Sequence, residues 1–265
     1  MPRLRQWELL RRFLTILPSS TTWTMHRCFP LGKICVLFLE PGIMSSPYLS
    51  SQATVLLLTL QTGSTVAVFG IGGVGVNAIQ GAHIAGAAKI IASDMKPANP
   101  EIAKKFGATH TVNVAEQNAE EALKEWTGGF GVHFAIDCSG HTGATESAWK
   151  GTRKGGTIVV VGAFNTAMAL NLPAGGFHRV GKILKGSFYG DTQPYRDFPI
   201  IAQLYLDGKF MLDELVLDRI QLNDINKAID SFHDCNCINV GRTVVEFSSQ
   251  EQKELADTSD SLLTI

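Results

Sequence analysis

Between residues 62 and 189 the chain alternates two patterns: short runs rich in β-branched and aliphatic residues, and longer stretches whose apolar positions recur every three or four residues. Short apolar runs suit buried strands, and the three-to-four spacing suits helices that pack by one face. The pattern predicts strands near 65–70, 89–94, 110–114, 132–138, 157–162 and 182–189. It predicts helices near 73–86, 98–106, 119–127 and 143–153, with an irregular link after Gly162. Strict alternation of this kind predicts an α/β fold with a parallel sheet covered on both faces, because a parallel crossover needs a helix's length of chain to return. Further on, 196–209 and 222–234 read as amphipathic helices and 215–222 and 241–247 as strands, a short α+β remnant. Residues 1–61 show no sustained period after Leu17, and the polar stretch 248–265 reads as a disordered tail. The expected division is therefore an irregular N-terminal segment 1–61, an α/β domain 62–193, the α+β piece 194–247 and the tail 248–265.

The link between the first strand and the first helix carries the chemistry. Gly70-Ile71-Gly72-Gly73-Val74-Gly75 follows the β-branched run Thr65, Val66, Val68, and Ala78, Gly81, Ala82 and Ala85 then set a small-residue stripe at helical spacing. Glycine is needed three times here: for a tight turn at Gly70, for close approach of backbone N–H groups to a pyrophosphate at Gly72, and for close helix–sheet packing at Gly75. A phosphate would rest on the helix N-terminus near Gly73 and Val74, where unpaired N–H groups and the helix dipole favour an anion. Asp94 lies 19 residues beyond Gly75 and closes the next apolar run, where a carboxylate would accept hydrogen bonds from ribose hydroxyls. Six strands arranged around this turn predict a Rossmann doubly wound sheet. Asp137-Cys138-Ser139-Gly140 and Val161-Gly162, at later strand ends, would form the other wall of its cleft.

Composition narrows the partners. The formal net charge of -1, with no basic stripe, argues against nucleic acid, which needs clustered Lys and Arg. The apolar runs 34–39 and 55–60 are far short of the ~20 residues of a membrane span, so no membrane partner is expected. Five cysteines at irregular spacing form no disulfide framework and point to a reducing, cytoplasmic setting. The alternative is an organelle address, because Arg3, Arg5, Arg11 and Arg12 accompany Trp7, Leu10, Leu14 and Leu17 on one helical face.

Five segments carry a resemblance: 70–75 (Gly-Ile-Gly-Gly-Val-Gly), 90–94 (Ile-Ile-Ala-Ser-Asp), 106–110 (Phe-Gly-Ala-Thr-His), 155–162 (Gly-Gly-Thr-Ile-Val-Val-Val-Gly) and 185–190 (Lys-Gly-Ser-Phe-Tyr-Gly). In order and separation they resemble the coenzyme domain of the zinc-type alcohol dehydrogenases, within the medium-chain dehydrogenase/reductase family. The resemblance extends from about Thr62 to Phe247. The stretch 188–199 is most similar to the formaldehyde and thiol-adduct branch. The resemblance implies NAD as cofactor, with the backbone around Gly70, Gly72, Gly73, Val74 and Gly75 at the pyrophosphate and Asp94 at the adenosine ribose. It further implies that Val161, Gly162, Ala163, Phe188 and Tyr189 line the nicotinamide half, and that Arg242 pairs with a coenzyme phosphate. A guanidinium suits that last task by its planar fork, although an arginine at a strand end is otherwise usually just solvated. Its substrate would be a small alcohol or aldehyde, and the edge near 182–189 resembles the family's dimer-forming edge, which implies a homodimer.

The chain also departs from the family's pattern. The resemblance implies zinc, held in the family by Cys, His-Glu and Cys residues of a separate N-terminal catalytic domain, but residues 1–61 offer only Cys28, Cys35 and His26. Nor does Cys235-Asn236-Cys237 match a zinc lobe, since the pair is too close and lacks a partner pair. On this reading the catalytic domain is missing or replaced and no zinc ligand set is visible. His83, His110, His133, His141, His178 and His233 read as surface or structural histidines, and Cys138 as a small packed residue. Two functions fit. One is an NAD-dependent oxidoreductase that passes hydride between an alcohol, or aldehyde adduct, and NAD. The other is a catalytically incomplete dinucleotide-binding module.

Overall fold

The computed structural model describes residues 37–39, 60–165, 167–173, 177–187, 194–232, 240 and 242–246. A six-stranded sheet forms its centre, with every neighbouring pair parallel. Its strands are β2 (Thr65–Phe69), β3 (Lys89–Asp94), β4 (His110–Asn113), β5 (Val132–Asp137), β6 (Thr152–Val160) and β7 (Ile183–Gly186). They lie in the order β4-β3-β2-β5-β6-β7, so the chain starts in the middle, winds outward one way, then returns and winds outward the other. That is the expected Rossmann order, with its switch point between β2 and β5. Crossovers are made by α1 (Gly73–Ile84), α2 (Ala98–Lys105), α3 (Ala119–Trp126) and α4 (Thr142–Gly151).

The strands are apolar on both faces because helices cover both. Val66 and Val68 of β2 join Ile90, Ala92 and Ile136 on one face, against Val76, Ile79 and Ala82 of α1. The alternate residues Ala67 and Phe69 join Ile91, Val112, Ala135 and Ile158 on the other, against Leu123 of α3 and Trp149 of α4. Each fully buried aliphatic side chain contributes about 1.5–3 kcal/mol of transfer free energy, so these two clusters are the main reason that the alternating pattern closes into this sheet.

Beyond β7 and the short helix α5 (Phe177–Val180) that precedes it, the chain forms α6 (Pro194–Leu206), a 3-10 turn at Asp213–Leu215 and β8 (Val216–Gln221). A second 3-10 turn at Leu222–Asp224, α7 (Ile225–Phe232) and β9 (Arg242–Glu246) follow. Ile201, Ala202, Phe210, Leu212, Leu215 and Val240 continue the core cluster on the α1 face, so this piece shares its apolar interior with the sheet domain. β9 pairs in parallel with β8 and antiparallel with β1 (Leu37–Leu39), in a separate three-stranded sheet. The last strands thus take a partner from the segment whose pattern predicted no element. Three residues are too few to show a period.

Several boundaries differ from expectation. α4 stops at Gly151 and β6 begins at Thr152, where a helix was expected to 153 and a strand only from 157. Thr152 pairs with Val132 and pairing resumes at Thr157 with Phe134, so the polar residues between them bulge, with Gly155 at φ +69°. β6 ends at Val160, so Val161 and Gly162 form the turn beyond the strand; β5 ends at Asp137, one residue early, and β4 at Asn113. β7 spans Ile183–Gly186, a shorter strand than 182–189, and Phe188 and Tyr189 lie outside the described residues, as do the basic N-terminal stretch and the tail 248–265.

Candidate functional site

The C-terminal ends of β2, β3, β5 and β6 converge at the switch point. Gly70 leaves β2 at φ +82°, a conformation that L side chains rarely adopt, and donates its N–H to Ser93 O at 2.9 Å. A Cβ there would lie 2.7 Å from the Ser139 backbone, so the turn also presses against the loop after β5. Gly75 makes the close helix–strand contact, since a Cβ on it would sit 2.0 Å from Gly70 O. These are the first and third glycine roles predicted from the sequence. Gly72 is the N-cap of α1 and brings no side chain, and the first helical turn carries no acidic residue. The N–H groups of Gly73 and Val74 precede any carbonyl of their own helix, so they face out as donors with the positive end of the helix dipole.

Asp94 ends β3 beside this turn. Its Oδ2 accepts the Ile71 N–H at 2.6 Å and its Oδ1 accepts the Lys96 N–H at 2.8 Å. The half-buried carboxylate therefore ties the glycine turn to the end of the neighbouring strand and still presents a face to solvent. That tie is invisible in the spacing of the residues.

The opposite wall is built on Asp137, the last residue of β5, which is 0% exposed. Its Oδ1 accepts the Ser139 N–H at 2.8 Å and the Ser139 hydroxyl at 2.6 Å, and its Oδ2 accepts the Thr145 hydroxyl from α4. Its main-chain carbonyl takes the N–H groups of Val161 at 2.8 Å and Gly162 at 2.9 Å. The two loops touch: a Cβ on Gly162 would lie 2.1 Å from Gly140 N, and one on Gly140 2.5 Å from Ala163 O. Cys138 anchors the wall through its N–H on Phe69 O at 2.8 Å and packs against the core, the small packed role expected of it. Burial, with the Asp137 carboxylate adding to it, pushes its thiol pKa far up, so the sulfur stays protonated.

A buried amide ladder joins the glycine turn to the C-terminal piece. Asn77 Nδ2 donates to Gly73 O at 2.7 Å, and Gln80 Nε2 donates to Asn77 Oδ1 at 3.2 Å. Gln80 then brackets the Met211 peptide, donating from Nε2 to its carbonyl at 3.0 Å and accepting its N–H on Oε1 at 2.8 Å. Asn77 and Gln80 are 0% and 2% exposed. Sequence reasoning missed both; the available signal was two amides three residues apart in the otherwise small and apolar stretch 73–82 of α1.

The structure places Gly70, Gly72, Gly73, Val74, Gly75, Asp94, Val161, Gly162 and Ala163 at one edge of the sheet, beyond the C-terminal ends of β2, β3 and β6, where Ser139 meets Gly70 and Gly140 meets Gly162 and Ala163. Arg242 opens β9 in register with Val216, in the three-stranded sheet. Three of the histidines take structural places: His133 Nδ1 accepts the Thr65 N–H at 3.1 Å, the His110 and Trp126 ring centroids lie 4.8 Å apart, and His141 Nδ1 caps α4 through the Gly143 N–H at 3.3 Å. Among the described residues no three His, Cys, Asp or Glu side chains gather to hold a metal, so those residues do not fit a zinc site. His26, Cys28, Cys35, His233, Cys235 and Cys237 lie outside the described residues.

Comparison with known proteins agrees with this architecture. Residues 73–206 match the zinc-binding dehydrogenase family. Alcohol dehydrogenase 3 of Hordeum vulgare is 35% identical over 206 residues, which cover 76% of this chain and 52% of that protein; the chain spans about half the length of the curated relatives it matches. An alcohol dehydrogenase zinc-binding domain protein from Burkholderia ambifaria superposes with a TM-score of 0.70 at 32% identity, covering 76% of this chain and 53% of its own. A solved dehydrogenase structure from Sinorhizobium meliloti 1021, bound to NADP, gives 0.67 at 25% identity, with 76% and 57% covered. With the Rossmann strand order and the glycine turn in place, the chain belongs to the zinc-binding dehydrogenase family.

Proposed function

We propose that this chain is an NAD-dependent oxidoreductase that transfers hydride between a small alcohol, or an aldehyde adduct, and NAD. One observation carries the reading: Asp94 is held by Ile71 N–H at 2.6 Å directly beside the uncapped N-terminus of α1, so a ribose acceptor and a pyrophosphate cradle stand side by side at the switch point. The family, and the alcohol dehydrogenases among the relatives, support the substrate class. When bound, NAD would supply the nicotinamide carbon that accepts hydride from the substrate carbon. The chain's own residues do the rest. Gly73 and Val74 N–H groups would bind phosphate oxygens, Asp94 would accept from the ribose hydroxyls, and the loops at Ser139–Gly140 and Val161–Ala163 would hold the nicotinamide half and exclude water from one side.

Asp94 also favours NAD over NADP, because a 2′-phosphate would be pressed against its carboxylate, and like charges juxtaposed in a closed site cost several kcal/mol. Calorimetric titration with both dinucleotides, beside an assay of NADH formation from alcohols, tests the proposal. NAD should bind more tightly, and Gly72→Val should abolish binding while the circular dichroism spectrum is kept. Tighter NADP binding would overturn the cofactor choice, and a valine variant with wild-type affinity would move the site elsewhere. Binding without turnover would leave a dinucleotide module and overturn the hydride chemistry.

A further inference from the structure

We propose that Asp137 is a specificity-determining residue for the redox form of the cofactor: its buried carboxylate favours the oxidised, positively charged nicotinamide over the reduced, neutral one. The inference rests on the dinucleotide reading above. Asp137 is 0% exposed, and all its side-chain partners are donors. Ser139 Oγ accepts the His141 N–H at 3.1 Å, so its own proton is committed to Asp137. Two hydroxyls and one amide N–H are thus aimed at the two oxygens, a set that suits a carboxylate rather than a carboxylic acid. None of the Lys, Arg and His side chains among the described residues forms an ion pair with it. A buried charge is normally paired, because hydrogen bonds recover only part of its lost hydration.

This unpaired charge stands at the end of β5, beneath the wall that would face the nicotinamide half. The same residue's carbonyl holds Val161 and Gly162, and Ser139 is the loop that Gly70 presses against. Oxidised and reduced cofactors share their adenosine and phosphates and differ in charge only at the nicotinamide ring. A fixed negative charge under that wall therefore acts on the difference alone. For charges about 8 Å apart, damped by an effective dielectric of about 20–40, such an interaction amounts to a factor of about five to thirty in relative affinity.

The test compares dissociation constants of NAD+ and NADH for the wild type and Asp137→Asn. The asparagine carbonyl can still accept from Ser139, and its amide can donate to Thr145. The ratio of NAD+ affinity to NADH affinity should fall about five- to thirtyfold in the variant, chiefly through weaker NAD+ binding. Thr145→Val, which removes a hydrogen bond to Asp137 and keeps the charge, should leave the ratio as in the wild type. Equal loss of both forms in Asp137→Asn, or an unchanged ratio, would show a purely structural residue and overturn the proposal. If the asparagine variant does not fold, Asp137→Ser, with room for a water to take the freed donors, reads the same ratio. A wild-type protein that binds neither form would sink the dinucleotide reading itself and this inference with it.

Discussion

Gln80→Met removes the clasp between the cofactor-turn helix and the C-terminal piece while keeping side-chain length and helix propensity. The change leaves the Met211 N–H and C=O, now bound at 2.8 and 3.0 Å, without partners, and loosens the Asn77 amide that holds Gly73 O. An orphaned buried backbone group costs about 1–3 kcal/mol. Met211 is only half-buried, so the lower part of that range applies to each group, and the sum is about 2–3 kcal/mol. For a domain of this size that corresponds to a fall in Tm of about 4–12 °C. Urea or thermal unfolding followed by circular dichroism measures it. Dinucleotide titration beside it should show weaker binding, because α1 loses the support behind its first turn. Gln80→Glu should do worse than Met, since a carboxylate can still accept the Met211 N–H but sets a charge against the Met211 carbonyl. A Gln80→Met protein with the unfolding midpoint of the wild type would refute the reasoning, and would mean that the ladder adds nothing that apolar packing cannot supply.

Gly75→Ala should destabilise by about 3 kcal/mol or more, beyond ordinary overpacking, because its Cβ would lie 2.0 Å from Gly70 O and backbone cannot step aside as a side chain can; a soluble variant with wild-type Tm would refute this. His133 is held below its ordinary pKa by burial and then by the nearby Arg153, which means the fold prefers its neutral ring, and that ring accepts the Thr65 N–H. Its contribution to stability is therefore full above about pH 6.5 and declines as pH falls below that value, and His133→Gln should flatten this part of the stability–pH curve. β7 is a sheet edge with Ile183 56% and Leu184 36% exposed, so a homodimer paired along it should dissociate in Ile183→Lys, as read by sedimentation; a wild-type monomer would overturn that expectation.

Features that depend on neighbours along the chain were legible before folding is considered. Alternating runs set the order of strands and helices, and the crossover length forced them into a parallel sheet. The glycine turn, its β-branched strand and Asp94 all fall within one βαβ unit, so turn chemistry and spacing were enough to place them. The remaining features depend on partners far apart in sequence. β6 starts at Thr152 because Val132 lies beside it, a pairing that no local pattern reveals. Leu37–Leu39 become a strand only because β9 offers an edge. Asp137 could be placed on the cleft wall from its position, but its burial and its three donors emerge only when α4 brings Thr145 onto it. Gln80 and Met211 are 131 residues apart, and their bond exists because the C-terminal piece folds back onto α1. Periodicity and turn preferences are short-range, whereas strand register and the satisfaction of buried polar groups are settled by whichever distant backbone the packed core brings within about 3 Å.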